Sequence, residues 1–322
     1  GCVLANRLSE DPAVRVMLIE AGGRDRNPFI HIPAGFMKLF DHPQVSWTGT
    51  QVEPDPGTAG RVFPYRRGRG LGGSSAINGL IYARGLPGDY DQWEKLGNRG
   101  WSYADVLPYF MKAENWEGAG NAWRGKEGPL TVSRATETPL LCQAALEAGQ
   151  QLGLPYRDDV NAPPGEGIGY CQFTRDGRWR ASAARAYLKP VMRRPNLEIV
   201  LDAMVHRVVL DGSRAVAVEY SQGGANHRVG AQGEVILAAG VFGSPQILQL
   251  SGIGAPEHLA RIGIPIQRAL PGVGQNLQDH YTIRINHAVA TGVRTINERS
   301  RGLWLAGEAL RLSEAKFSGI IS

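Results

Sequence analysis

Cysteine is scarce: Cys2, Cys142 and Cys171 are odd in number and widely spaced. They make neither a disulfide framework nor a zinc-ligand pattern, so a reducing, cytoplasmic compartment and no metal site are expected. Long apolar runs are missing, and nothing in the sequence reads as a bilayer-spanning segment or a secretory signal. No low-complexity tract occurs. Charge is limited as well, with 20% charged residues and a formal net charge of +5. Arginines cluster at Arg66, Arg67 and Arg69, between Arg175 and Arg185, and at Arg193 and Arg194. They lie among glycines and apolar residues rather than aromatics on one face, which argues against a nucleic-acid partner. A solvated face, or contacts to a pyrophosphate, accounts for them better.

What is present is a globular composition. The 322 residues suit two domains, and 43% of them are hydrophobic. The 42 glycines and 20 prolines imply many tight turns. The densest glycine stretch runs from Gly68 to Gly79 and includes Arg69, Gly70, Gly72, Gly73, Ser74, Ser75 and Asn78. Glycine lets a ligand approach the main chain, and the hydroxyls, amide and guanidinium offer donors. A flexible linker is the competing reading, but the run enters apolar Leu80 and Ile81 directly, so a cradle for a large polar ligand is favoured.

Cys2 to Leu8 reads as an amphipathic helix, and Arg15 to Glu20 as a buried parallel strand ending in an acid, before Ala21 and Gly22. Helix, strand and acid form the second half of a dinucleotide-binding βαβ unit, in which the acid takes a ribose hydroxyl. An ordinary strand-end acid fits Glu20 equally. Asn27 to Pro64 reads as a long lid-like loop. Ser102 is expected to cap a helix from Tyr103 to Glu114, and Leu140 to Leu152 to form another, closed by Gly153. Asp158 to Asn161 lacks the glycine and glutamate of a calcium loop and reads as a polar turn. Ser182 is expected to cap a helix interrupted at Pro190. Strands at 197–201, 204–210 and 215–220 are expected to form an antiparallel meander. Glu234 to Gly240 reads as a buried strand, followed by a helix with Ser244 as N-cap and Pro245 in its first turn. Residues 281–290 alternate like a strand, and 302–312 read as a helix.

These pieces resemble the glucose–methanol–choline (GMC) oxidoreductases, nearest the choline-dehydrogenase-like branch. Gly68 to Asp91 matches one family signature, and Ser244 to Gly254 the second, with Val241 the one departure, in place of a small residue. The resemblance implies an α/β fold, α+β overall: a Rossmann-like FAD-binding domain with an antiparallel-sheet substrate domain. Residues 1–135 and 196–276 are assigned to the first domain, and 136–195 and 277–322 to the second. It also implies that Gly1 is the last glycine of the pyrophosphate loop and that Glu20 binds the adenosine ribose. Ala21, Gly22, Arg69, Gly70, Gly72, Gly73, Ser74, Asn78, Gly79, Leu80 and Ile81 would line FAD, with Val205 at the adenine end. Ala239 and Gly240 would lie beneath it, and Asp279 and His280 would join the cofactor-binding residues near the domain junction, with His280 favoured as a structural histidine that Asp279 orients over a catalytic one. Ile77 stands where some members carry the histidine that bonds FAD covalently, so noncovalent FAD is implied.

The implied reaction is oxidation of a primary alcohol, choline-like or another small alcohol, to the aldehyde by hydride transfer to flavin N5, with a histidine taking the hydroxyl proton. No segment before Ser322 matches the family's catalytic histidine and its His or Asn partner, so the resemblance places that pair beyond Ser322. The expectation is therefore a fragment cut at both ends, inactive alone, with no catalytic residue of its own. Alternatives are a non-redox lyase on the same fold or a non-catalytic remnant. The electron acceptor (quinone, dye or oxygen) and membrane association through it stay open.

Overall fold

Gly1 opens helix Cys2–Leu8, whose last turn is pinned from a distance: Arg194 Nη1 donates to Asn6 O at 2.7 Å and Ser9 Oγ at 2.9 Å. The structure, a computed structural model, describes residues 1–52, 56–136, 138–280, 282–283, 285–290, 292–293 and 295. It divides into two compact units. The first comprises Gly1–Arg24, Arg69–Leu71 and Val191–Ala288; the second comprises Asp25–Gly68, Gly72–Pro190 and the described residues after Ala288.

In the first unit, strand Val16–Ile19 pairs in parallel with Leu197–Val200, from Val16↔Leu197 to Ile19↔Val200. This corrects the expected meander, in which Leu197 was to begin an antiparallel set. The meander consists instead of Ala203–Asp211, Arg214–Gln222 and Ala225–Gly230. Gly223 and Gly224, with φ of +58° and +82°, make its second turn. Two left-handed residues in succession match the twist of flanking antiparallel strands. Polar Ala225–Gly230 carries no apolar alternation, so its pairing rests on that turn.

The run from Glu234 to Gly240 forms no strand: no ladder pairs it among the described residues, and its side chains are half-buried or exposed. An apolar run without a hydrogen-bonding neighbour has no ladder to join. The following helix spans Gly240–Leu250, so it starts earlier than expected, with Ala239 as N-cap and Pro245 inside it. Ser244 Oγ accepts from Ala239 N at 3.0 Å, bracing the first turn rather than beginning the helix. Its far end is anchored to the sheet, where Val208 N donates to Ser251 Oγ at 2.8 Å. The described residues among 281–290 form no strand. The expected 302–312 helix lies outside the described residues, and so does Ser322, beyond which the catalytic pair is expected.

In the second unit, Ser102 caps helix Tyr103–Ala113 as expected: its hydroxyl accepts from Asp105 N, and the Asp105 carboxylate accepts from Ser102 N. Such a reciprocal box satisfies two orphan donors. Helix Leu140–Gln151 ends before Gly153, at φ +87°. Ser182 Oγ accepts from Arg185 N at the start of a single wide turn, Ala184–Leu188, shorter than the helix expected there. Inside the Asn27–Pro64 stretch lie a turn of helix at Pro28–His31 and a tighter one at Pro33–Lys38. Ile30, Leu39, Ala76 and Ile77 pack together beneath them.

A buried polar network holds this unit together. Glu114 receives Arg84 and Arg124, and all three side chains are at most 2% exposed. Arg124 also reaches Asp159 at 2.7 Å and Gln172 at 2.8 Å, and lies 3.9 Å from the centre of the Trp116 ring. Asp159 thus sits in a polar turn, accepting in addition from Asn161 N. Burial pushes the Asp159 carboxyl up, but the Gln172 bond, the Arg124 charge and the Asn161 N–H together hold it below its usual value. A lowered carboxylate adds stability above its unfolded pKa, about 3.9, and loses it as pH falls through the lowered value. Asp159→Asn is therefore expected to flatten the acid limb of stability below about pH 4, read by melting curves across that range.

Candidate functional site

The strand Val16–Ile19 delivers Glu20, whose N–H continues the ladder to Val200 O at 2.9 Å. The chain then turns, and the Glu20 carboxylate folds over its own loop. Oε1 accepts from Gly22 N and from Gly70 N, each at 2.9 Å. Leu71 N donates to Gly23 O at 3.1 Å, and Arg69 Nε to Ala21 O at 3.3 Å. Glu20, Ala21, Gly22, Arg69 and Gly70 are thereby brought into one structure within the first unit.

Glycine is required here by main chain meeting main chain. A Cβ on Gly22 would fall 2.4 Å from Gly70 N, and one on Gly70, at φ +125°, would fall 2.9 Å from Gly23 O. Burial pushes the Glu20 carboxyl above its ordinary value, against the Gly22 and Gly70 N–H groups that pull it down. Oε2 accepts no hydrogen bond from the described residues, so one oxygen of a half-buried carboxylate stays open to a ligand hydroxyl.

The other expected residues of this unit sit on separate segments. Gly1 is the N-cap of the first helix, with its α-carbon facing Leu18. Val205 lies on the meander opposite Tyr220, beside a register shift. Ala239 and Gly240 form the head of helix Gly240–Leu250, and the space over the Gly240 α-carbon is open. Asp279 Oδ1 accepts from the main-chain N–H of His280 at 2.8 Å, a bond to the backbone that does not involve the ring.

In the second unit, Gly72, Gly73, Ser74, Asn78, Gly79, Leu80 and Ile81 lie on one continuous stretch, a helical turn that leads into strand Ile81–Tyr82. Gly72 enters it at φ +93°, and Gly73–Ala76 winds a tight helical turn. Ser74 Oγ accepts from Gly68 N at 3.0 Å. Ser75 Oγ donates to Gly72 O at 2.6 Å and accepts from Ala183 N at 2.9 Å. Both serines therefore serve the turn itself. Space over the Gly73 α-carbon is open. Leu80 adopts φ +63° and is buried, whereas Ile81 is 59% exposed and pairs with Phe173.

One residue of this site was not singled out from the sequence. Arg180 was read with its neighbours as part of a solvated face or a pyrophosphate contact; it is 1% exposed. It donates to Ile30 O from Nε, and to Ser75 O, Asn78 O and Asn78 Oδ1 from Nη1. Its position among Trp179, Ala181, Ala183 and Ala184 was the available signal, since small apolar neighbours do not mark a wet surface.

The GMC oxidoreductase family model matches residues 18–282. The chain belongs to the GMC oxidoreductase family. It is 47% identical over 296 residues to the human protein named choline dehydrogenase, mitochondrial, covering 89% of this chain and 50% of the relative. It is 45% identical over 282 residues to an oxygen-dependent choline dehydrogenase of Sinorhizobium medicae, with coverage of 87% and 51%. The chain thus spans about half the length of the curated relatives it matches. Among solved structures, an FAD-dependent oxidoreductase from Chaetomium thermophilum matches with TM-score 0.88 at 32% identity, over 100% of this chain and 58% of that one. Pyridoxine 4-oxidase from Mesorbium loti matches with TM-score 0.79 at 38% identity, over 84% and 53%. These GMC relatives bear out the expected fold class, and none of the described helices is long and apolar enough to cross a membrane.

Proposed function

We propose that this chain holds FAD noncovalently and forms part of an oxidoreductase that converts a primary alcohol, choline or a close analogue, to the aldehyde. The observation that carries the reading is the Glu20 carboxylate, which spends one oxygen on Gly22 and Gly70 and keeps the other open. The names of the relatives, choline dehydrogenase among them, support the substrate class. The residues fit the cofactor: an open acceptor at Glu20, positive-φ glycines at Gly73 and Gly240 with free space above them, and an exposed amide at Asn78. FAD, when bound, supplies a hydride acceptor at flavin N5.

The chain's own residues bind and orient. Glu20 would accept a ribose hydroxyl, and its loop is latched to Arg69–Leu71 so that the acceptor stays in place. The Gly72–Ile81 stretch would line the flavin and pyrophosphate. Val205 and the Ala239–Gly240 helix head are assigned to the same cofactor, with Asp279 and His280 in a supporting loop. Ile77 is 2% exposed and packs in the core, which supports noncovalent binding. Residues 1–135 and 196–276 are assigned to FAD, and 136–195 with 277–322 to substrate.

Alone, the 322 residues are proposed not to turn over alcohols. The catalytic pair is assigned to sequence beyond Ser322. Steady oxidation of choline by the isolated chain contradicts this.

Glu20→Gln tests the cofactor reading. An acid raised by burial is most favourable when protonated, a contribution present below its ordinary pKa, about 4.3, and lost as pH rises through the raised value. The neutral variant is therefore expected to melt at or above the wild-type temperature at pH 7 without FAD. It is also expected to bind FAD about tenfold more weakly, the scale of a hydrogen bond to a charged acceptor. Unchanged FAD affinity in a titration followed by flavin fluorescence removes Glu20 from the site.

A further inference from the structure

Arg180 is a buried cation among the described residues that no carboxylate there neutralises: its partners are carbonyl oxygens and one amide oxygen. Its Nη2 is buried and has no hydrogen-bond partner among the described residues. Burial lowers the guanidinium to about 10, so it remains charged at neutral pH. Holding an uncompensated charge inside a protein is costly, so what it fixes matters.

What it fixes is Asn78. The side-chain oxygen of Asn78 accepts from Arg180 Nη1 at 2.7 Å and from Leu80 N at 3.1 Å. Both partners are donors only, so the amide cannot be turned the other way. Its NH2 group must point away from both of them, and the residue is exposed. The same guanidinium nitrogen holds the Asn78 carbonyl at 2.7 Å, so main chain and side chain are set together.

We propose that Arg180 is a positioning residue that locks the Asn78 amide with its N–H groups facing outward, as a donor to an electron-rich acceptor on the flavin. The proposal rests on the FAD reading above, and it assigns to Arg180 no contact with the cofactor. Asn78→Asp separates the roles. Aspartate keeps both accepting bonds and places a carboxylate against the unpaired cation, but it has no N–H to present. The variant is expected to melt at or above the wild-type temperature while binding FAD at least about tenfold more weakly.

Arg180→Lys keeps the charge but loses the fork that spans Ile30, Ser75 and Asn78. It is expected to weaken FAD binding by a similar factor, and the double variant to be no weaker than Asn78→Asp alone, because the two changes act through one amide. In FAD-free protein labelled with 15N, the Asn78 side-chain amide signals should move toward free-amide positions in Arg180→Lys. Wild-type FAD affinity in Asn78→Asp, losses that multiply in the double variant, or unmoved amide signals overturn the proposal. If Arg180→Lys does not fold, Asn78→Asp carries the test alone. If the wild-type protein takes up no FAD while the amide signals move as expected, the flavin reading fails and the lock on Asn78 stands.

Discussion

Glu114→Gln is expected to give the largest loss of stability of any single conservative change discussed. It leaves the volume of the side chain intact and removes only the charge that Arg84 and Arg124 share. Two guanidinium groups then stay buried without their common counter-ion, and Asp159, bonded to Arg124 alone of the two, cannot serve both. Breaking a buried ion pair from one side costs about 3–5 kcal/mol, because the remaining charge is stranded. For a protein of this size that corresponds to a fall of roughly 4–7 °C in Tm. Thermal melts of the variant check this. A Tm within about 2 °C of wild type would show that water or rearrangement relieves the two arginines at little cost.

Gly22→Ala is expected to have the largest effect on the cofactor site. The added methyl would fall 2.4 Å from Gly70 N and 2.6 Å from Arg69 C, both main-chain atoms that cannot rotate aside. Overpacking of this kind typically costs about 1–3 kcal/mol. More important for function, the loop must separate from Arg69–Leu71, and the Gly70 N–H then leaves Glu20. FAD uptake should fall well beyond the effect of Glu20→Gln, since acceptor and latch are lost together. Gly49→Ala is the control: a Cβ there meets nothing within 4 Å, so stability within about 0.5 kcal/mol of wild type is expected. Isothermal FAD titrations of the two variants, beside denaturant melts, separate the latch from a general glycine effect. Gly22→Ala with wild-type affinity would mean that the loop shifts without disturbing the acceptor.

Local signals in the sequence were the dependable ones. Ser102 ahead of Tyr103 to Glu114 placed a helix, and Ser102 caps it through a bond to a residue three positions on. Gly153 beyond Leu152 marked the end of another. The glycine–serine run from Gly68, read as a ligand cradle, is shaped by bonds that also close over a few residues.

Pairing across long separations was not legible. Leu197–Val200 has the β-branched and apolar residues of any strand, and nothing local distinguishes a parallel partner 181 positions earlier at Val16 from an antiparallel one next door. Glu234–Gly240 has strand composition without a ladder among the described residues, and composition cannot report whether a neighbour is there. The buried charges were hidden for the same reason. Glu114 and Asp159 look like surface acids until Arg84 and Arg124 arrive from elsewhere in the chain, and Arg180 looks like one of several arginines in a basic stretch. Glycine was over-read in one respect. At Gly22 and Gly70 the missing side chain serves the contact of two main-chain segments; of the glycines assigned to the cofactor, Gly73 and Gly240 are the ones with open space above the backbone.

The most direct test of the central claim is the visible absorption spectrum of the purified protein after incubation with FAD and gel filtration, repeated on the supernatant after heat precipitation. Flavin bands are expected to travel with the protein and then pass entirely into the supernatant, since Ile77 offers no covalent link. A protein that emerges colourless contradicts FAD binding, and flavin retained in the precipitate contradicts its noncovalent hold.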